Sequence, residues 1–413
     1  VTVELAAGTG TPGANLLGTR TVAAVGGIAT FATLGVNRSG TAYTLSARAS
    51  GLTGGTSLPF DVFAGTVTQL VFTAQPVSST AGVTLPTVQV AAEDSLGNIV
   101  PGFSDAVSLA ISTNPGGGTL AGTTTVTAVG GVATFATLSI DKSGVGYRLA
   151  AAAGSLSRTS SAFSITAGAA TQLSFTVQPG NTGAGGAITP AVRVAGLDAF
   201  GNTATSFTGT VTIAIGTNPA AGALSGTTAV AAVSGVAVFS GLSIDKAGGG
   251  YTLSATADGL AAATSTAFNV NPATASVLVF TVQPTAAIAG DPIAPAVVVT
   301  ARDALGNTAT GFAGNVTVDL TAGTGTAGAN LRGTRTVAAV AGVATFPTVN
   351  VNRSGTGYTL TARATGVPDA TSSPFDVAAG PVAKLAFTAQ PVTTTAGVAL
   401  PPVQVAAQDS LGN

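Results

Sequence analysis

The 413-residue chain contains no cysteine, histidine, methionine or tryptophan, and only 7% of its residues are charged. Without cysteine there is no disulfide framework, no metal–thiolate site and no thiol nucleophile. Without histidine and cysteine, a nucleophile–base pair would have to be built from Ser with Lys or from two carboxylates. Net charge is −1, so neither a basic field for nucleic acid nor an acidic tail is present. Long apolar runs are missing as well. Between Asp198 and Asp245 no charged residue occurs, yet Thr, Ser, Gly, Asn and Pro interrupt at almost every second or third position. A membrane-spanning helix needs about 18–20 consecutive, predominantly apolar residues, and the interruptions instead suit strands and turns.

What is abundant is small and repetitive. Hydrophobic residues make up 46% of the chain, enough to fold rather than remain disordered. The phrase Phe-Thr-x-Gln-Pro begins at Phe72, Phe175, Phe280 and Phe387. Asp-x-x-Gly-Asn begins at Asp94, Asp198, Asp303 and Asp409, and Gly-x-Ala-x-Phe ends at Phe31, Phe135, Phe239 and Phe346. The Phe-Thr-x-Gln-Pro phrases recur at intervals of 103, 105 and 107 residues. All four tyrosines (Tyr43, Tyr147, Tyr251, Tyr358) share one position of this repeat, and 15 of the 17 phenylalanines fall on four others. Aromatics placed so regularly read as core. Phe63 and Phe200 alone fall outside the pattern.

A longer period overlies this one. Residues 1–98 align without a gap to residues 316–413, with 71 identities. The two middle copies instead share Thr-Asn-Pro (113–115, 217–219) and Ile-Asp-Lys (140–142, 244–246). The order outer, middle, middle, outer predicts a three-domain superperiod in a longer parent chain. The phase of the copies predicts a partial domain at 1–65, domains at 66–168, 169–272 and 273–379, and a further partial domain at 380–413. The 1–65 and 380–413 parts are complementary, which raises a second reading in which identical chains join end to end by strand exchange.

Within the second copy, seven runs are expected as strands: 69–74, 87–93, 106–112, 123–129, 132–140, 146–153 and 160–166. Leu70 and Phe72, Val88 and Val90, and Val107 and Leu109 alternate with polar neighbours, so one face of each strand is apolar. Gly130-Gly131, with Ser234-Gly235 and Ala341-Gly342 in other copies, signals a tight hairpin. Asp141-Lys142-Ser143-Gly144 and Asn37-Arg38-Ser39-Gly40 signal a turn before the tyrosine strand. No segment carries a helical stripe. The expected fold is all-β: tandem seven-stranded Greek-key β-sandwiches joined by short linkers such as Ala167-Gly168-Ala169 and Ala379-Gly380-Pro381. Each domain would extend the chain by roughly 35–45 Å, at about 3.3 Å per strand residue.

Tyr two residues before a core apolar residue, as in Tyr147-Arg148-Leu149, is similar to the tyrosine corner of immunoglobulin sandwiches, with Leu where the second cysteine would stand. Together with Asp-x-x-Gly-Asn, Gly-Val-Ala-Thr-Phe, Gly-x-Gly-Tyr-Thr-Leu and the closing Thr-Ser-x-x-Phe strand, the whole chain resembles the bacterial Ig-like repeats of large surface proteins, in the style of invasin and intimin stalks. The resemblance implies a non-enzymatic, extracellular structural or adhesive rod on a bacterial surface. Its partners would be neighbouring Ig-like domains, with no cofactor and no nucleic acid.

Candidate sites are few. The Asp-x-x-Gly-Asn loops fall at a domain end, but calcium takes 6–8 oxygens and each copy offers one fixed carboxylate, joined only in the second by Glu93. They are read as Asx or glycine turns, so no metal is expected. Gly-Thr-Gly-Thr at 8–11 and 323–326 lacks the Gly-Lys-Ser/Thr ending of a phosphate loop. Sequons occur at Asn37, Asn315 and Asn352. For a rival binding-module reading, only Phe63 and Phe200 remain as aromatic contacts for carbohydrate or a receptor. No catalytic residue is assigned.

Overall fold

A computed structural model describes residues 1–413. The chain folds into short strands and turns with no helix, and so has none long and apolar enough to cross a membrane. Two compact units result, Val1–Gln172 with Gly196–Phe207, and Leu173–Ala195 with Thr208–Asn413.

In the first unit, one sheet joins Gln69–Ala74, Val88–Glu93 and Val132–Phe135 in antiparallel pairing, with Val90 opposite Phe72 and Val88 opposite Phe135. The facing sheet runs Thr125–Thr127, Ala106–Thr113, Gly144–Ala153, Phe163–Thr166 and Ser79–Thr80. Val88–Glu93 and Val132–Phe135 are thus neighbours although strands of the other sheet lie between them in sequence, as in a Greek key. The alternating apolar residues meet between the sheets: Leu70, Phe72, Val88, Val90, Val107, Leu109, Phe135, Leu149 and Ile165 are all buried. At about 1.5–3 kcal/mol for each fully buried large side chain, this interior is the main source of stability.

Three details depart from the expected runs. The 132–140 run ends at Phe135, and Ser139–Ile140 pairs separately with Leu120–Ala121. A strand absent from the sequence reading, Leu156–Thr159, folds back on Gly144–Ala153 because Gly154 takes a left-handed φ of 55°. Ser79–Thr80 runs parallel to Phe163–Thr166, and two residues are too few for alternation to reveal. The predicted hairpin does form, with Gly130 and Gly131 at φ 60° and 80°. A Cβ at Gly131 would lie 2.5 Å from the Val100 carbonyl oxygen, so this position needs glycine for space as well as for conformation.

The second unit repeats the plan. Val277–Val282, Val297–Arg302 and Val343–Phe346 form one sheet. Thr336–Ala338, Asn315–Leu320, Leu360–Ala364 and Val367–Thr371 pair side by side in that order, while Gly355–Tyr358 pairs with Phe375–Ala378. Leu278, Phe280, Val297, Val299, Phe346, Leu360 and Phe375 share one core. The last hairpin, Lys384–Ala389 with Gln404–Gln408, behaves differently. Its Leu385 and Phe387 are 74% and 55% exposed, although the repeat places them with Leu278 and Phe280.

Candidate functional site: the loop between successive copies

The most densely bonded polar residues lie not within a sandwich but where one copy follows another. In each Asp-x-x-Gly-Asn loop, glycine (Gly97, Gly201, Gly306, Gly412) adopts φ of 78° to 91°, a left-handed conformation that turns the chain back on itself. The aspartate then faces its own loop. Asp94 accepts from the main-chain N–H of Leu96 and Asn98 at 2.9 Å each, and from that of Gly65 in the linker at 2.9 Å. The Asn98 amide adds a fourth donor at 2.9 Å. Asp303 repeats this with Leu305, Asn307 and Ala273, Asp198 with Phe200, Asn202 and Gly168, and Asp409 with Leu411, Asn413 and Gly380.

All four carboxylates are buried. Burial alone would raise the Asp94 pKa, but the Asn98 amide and the N–H groups of Asn98, Gly65 and Leu96 outweigh it and hold it at about 2. For Asp409 the Asn413 amide has the largest effect, and again the value falls to about 2. Asp198 and Asp303 are lowered by the same balance of burial against donors. Charge-assisted bonds of this kind are the stronger class. The donors converging on each aspartate come from the chain itself, so the loop is closed by N–H groups in the way a cation site would be closed by oxygens. Glu93, the extra acid of the second copy, is instead within hydrogen-bond reach of the Gln69 amide.

The asparagine at the end of the phrase points outward, to the turn before the tyrosine of the preceding copy. In the first unit Asn98 Nδ2 donates to the Asn37 carbonyl at 3.2 Å, while Ser39 N–H donates to Asn98 Oδ1 at 3.0 Å. Asn202 makes the same pair with Asp141 and Ser143, both at 2.9 Å. In the second unit Asn307 pairs with Asp245 and Ala247 at 2.9 and 3.0 Å, and Asn413 with Asn352 and Ser354 at 3.2 and 3.1 Å. One amide hydrogen serves the loop aspartate, the other serves the neighbouring copy, and the amide oxygen accepts in return. An aspartate could not replace it, because it has no hydrogen to donate.

The receiving turn is held from inside as well. Tyr43, Tyr147, Tyr251 and Tyr358 donate their hydroxyls to the carbonyls of Arg38, Lys142, Lys246 and Arg353 at 2.8–2.9 Å, the corner bond expected from sequence. Each ring lies against a phenylalanine of the closing strand, with centroids 5.9–6.2 Å apart. Burial pushes the Tyr147 and Tyr251 phenols up, so they stay neutral donors. The first turn residue caps an upstream loop through its Oδ1: Asn37 accepts from Asn15, Asp141 from Thr119, Asp245 from Ala223 and Asn352 from Asn330. Only an oxygen is required there, so Asn and Asp interchange between copies. Asn37 and Asn352 thus use their side chains internally, and Asn315 opens a strand.

An apolar seat completes the contact. Phe200, left unassigned by the repeat, occupies the third position of its loop and covers Gly82 so closely that a Cβ there would lie 2.1 Å from the ring. Leu305 covers Gly185 and Leu411 covers Gly290 in the same way, at 2.8 and 2.9 Å from the added Cβ. Phe200 therefore packs at the junction while remaining 44% exposed. Phe63, by contrast, is 86% exposed. No three metal-ligating side chains gather anywhere in the chain.

No family model and no curated protein matches the chain. Solved structures do match. The segment comprising domains 1–6 of surface layer protein SbsC is 16% identical, over 100% of this chain and 53% of that one, with a TM-score of 0.25. The Protocadherin GammaB4 extracellular domain is 15% identical over 96% and 63%, with a TM-score of 0.30. Drosophila N-cadherin EC1-4 is 11% identical over 92% of each chain, with a TM-score of 0.24. The chain spans about half the length of the SbsC segment. The fold is all-β, in tandem Ig-like sandwiches. That assignment rests on the strand registers described above.

Proposed function

We propose that this chain is a non-enzymatic extracellular spacer, of the kind that bacterial Ig-like stalk repeats provide on cell surfaces, and that the Asp-x-x-Gly-Asn loop is the device that fixes each domain to its predecessor. The domain limits are those read from the repeat: 66–168, 169–272 and 273–379, with parts of domains at 1–65 and 380–413. One observation carries the reading. The same asparagine joins its own aspartate to the preceding turn in all four places where the phrase occurs. A spacer needs reach and resistance to bending, and a polar clasp with directional bonds supplies orientation where a nonpolar contact would slide.

No catalytic role and no resident metal belong to this reading, since the buried carboxylates are occupied by main-chain and amide donors. Pulling single molecules of the full chain from its ends tests it. Independent sandwiches give a sawtooth of separate unfolding events, each releasing roughly 30–35 nm of contour for about a hundred residues. A single cooperative event, or extension without force peaks, would overturn the reading.

A further inference from the structure

We propose that the junctions come in two grades set by the second residue of the receiving turn, with lysine holding the following loop more tightly than arginine. The inference deepens the clasp reading above and rests on it.

The middle copies carry Lys142 and Lys246 at this position, and the outer copies Arg38 and Arg353. Lys142 Nζ donates to the Phe200 carbonyl, and Lys246 Nζ donates to the Leu305 carbonyl at 3.2 Å. Each lysine therefore caps the loop residue that also fills the apolar seat. The arginines turn back on their own copy. A Cβ at Gly328 would lie 3.7 Å from the Arg353 guanidinium carbon, and one at Gly13 3.8 Å from Arg38 Nε. Both glycines sit in the longer loop that distinguishes the outer copies, residues 6–15 and 321–330 against 114–119. A compact ammonium on a flexible stem can reach a single carbonyl, whereas a planar guanidinium is a rigid fork matched to paired acceptors.

The bonds that the asparagines donate follow the same division, while those they accept, at 2.9–3.1 Å, do not. Asn202 and Asn307 approach their turn carbonyls to 2.9 Å, but Asn98 and Asn413 only to 3.2 Å. The apolar seat does not distinguish the grades, because Leu305 and Leu411 lie equally close to their glycines. The difference lies in the turn cation, the bonds beside it and the loop against which the arginine rests.

The second unit contains one junction of each grade, at Lys246 and at Arg353, and the absence of cysteine allows labelled cysteine pairs to be placed across either in the full chain. Distance distributions from paired spin labels should show an open population about five-fold smaller at the Lys246 junction, the Boltzmann weight of one net hydrogen bond. Lys246→Met should raise that population to the Arg353 level while leaving the Arg353 junction and the thermal midpoint unchanged. Equal and narrow distributions at both junctions would remove the grading and leave the clasp standing. Broad distributions at both would overturn the clasp as well, and a Lys246→Met distribution identical to wild type would remove lysine as the cause.

Discussion

The interior of a sandwich and the junction beside it use opposite chemistry, yet both end on one turn. Around Tyr358 the interior is apolar: Phe375, Leu360, Phe346 and Val318 are buried with it, and only the phenol reaches a polar atom. Around Asp303 the junction is polar, with four donors on one carboxylate and an amide that uses both of its hydrogens. The interior is non-directional and sets how stable a copy is. The junction is directional and sets how a copy is held. At the turn 245–247, Tyr251 binds the Lys246 carbonyl from within while Asn307 binds the residues on either side of it from without. Core packing is thereby coupled to junction geometry through three consecutive residues.

The comparison breaks most severely if the interior is emptied. Phe346→Ala should cost about 3–5 kcal/mol, seen as early urea unfolding of its own copy while the first unit keeps its midpoint. Next is Asp303→Ala, which leaves the Leu305, Asn307 and Ala273 N–H groups without their acceptor and should cost about 2–3 kcal/mol. Hydrogen exchange should report it as local loss of protection in that loop and linker, with the strands still protected.

Acid should act in the same direction. Asp94 and Asp409 have pKa values of about 2 in the folded chain against 3.8 ordinarily. Their contribution is therefore complete above about pH 4 and lost as the pH falls through about 2. Amide exchange in the loops should accelerate over that window while tyrosine environments, followed by near-ultraviolet circular dichroism, stay native. Loss of both signals together would erase the distinction between the two regions.

Tyr358→Phe removes only the bond to the Arg353 carbonyl and should cost about 1 kcal/mol. The sharper readout is the protection of the Ser354 N–H, which donates to Asn413 and should weaken although the remaining phenyl ring still fills the core. Gly168→Ala should be nearly silent, within about 0.5 kcal/mol in a thermal melt. Ala273 already stands at the corresponding position, and a Cβ on Gly168 would lie an ordinary 3.5 Å from Asp198 Cβ. A large loss there would show that the linker needs glycine for more than space.

Much of this was written in the residues. The repeat, the alternation of Leu70 with Phe72, the Gly130-Gly131 hairpin and the tyrosine corner all depend on local periodicity or on neighbours a few positions apart, and each was found where expected. The phrase Asp-x-x-Gly-Asn was legible as a turn for the same reason, since Asp94 binds Leu96 and Asn98 nearby. Its outer partner was not legible. Asn98 meets Asn37 from 61 positions upstream, and in a repetitive chain every pair of motifs keeps a constant spacing, so spacing cannot single out the pair that touches. Phe200 stood out as an aromatic off the repeat, but its seat on Gly82 was not legible because leucine occupies that site in the other copies. The strand Leu156–Thr159 escaped because Arg158 and its polar neighbours carry no apolar alternation.

The sequence by itself determined what is short-range: strands from alternation, turns from glycine and Asx chemistry, and a core from aromatics placed once per copy. Tertiary structure alone decided what the leftover polar atoms would bind. An amide hydrogen or a lysine ammonium carries no mark of its partner, and the choice among acceptors was made only when two folded copies brought one turn and one loop within hydrogen-bond distance.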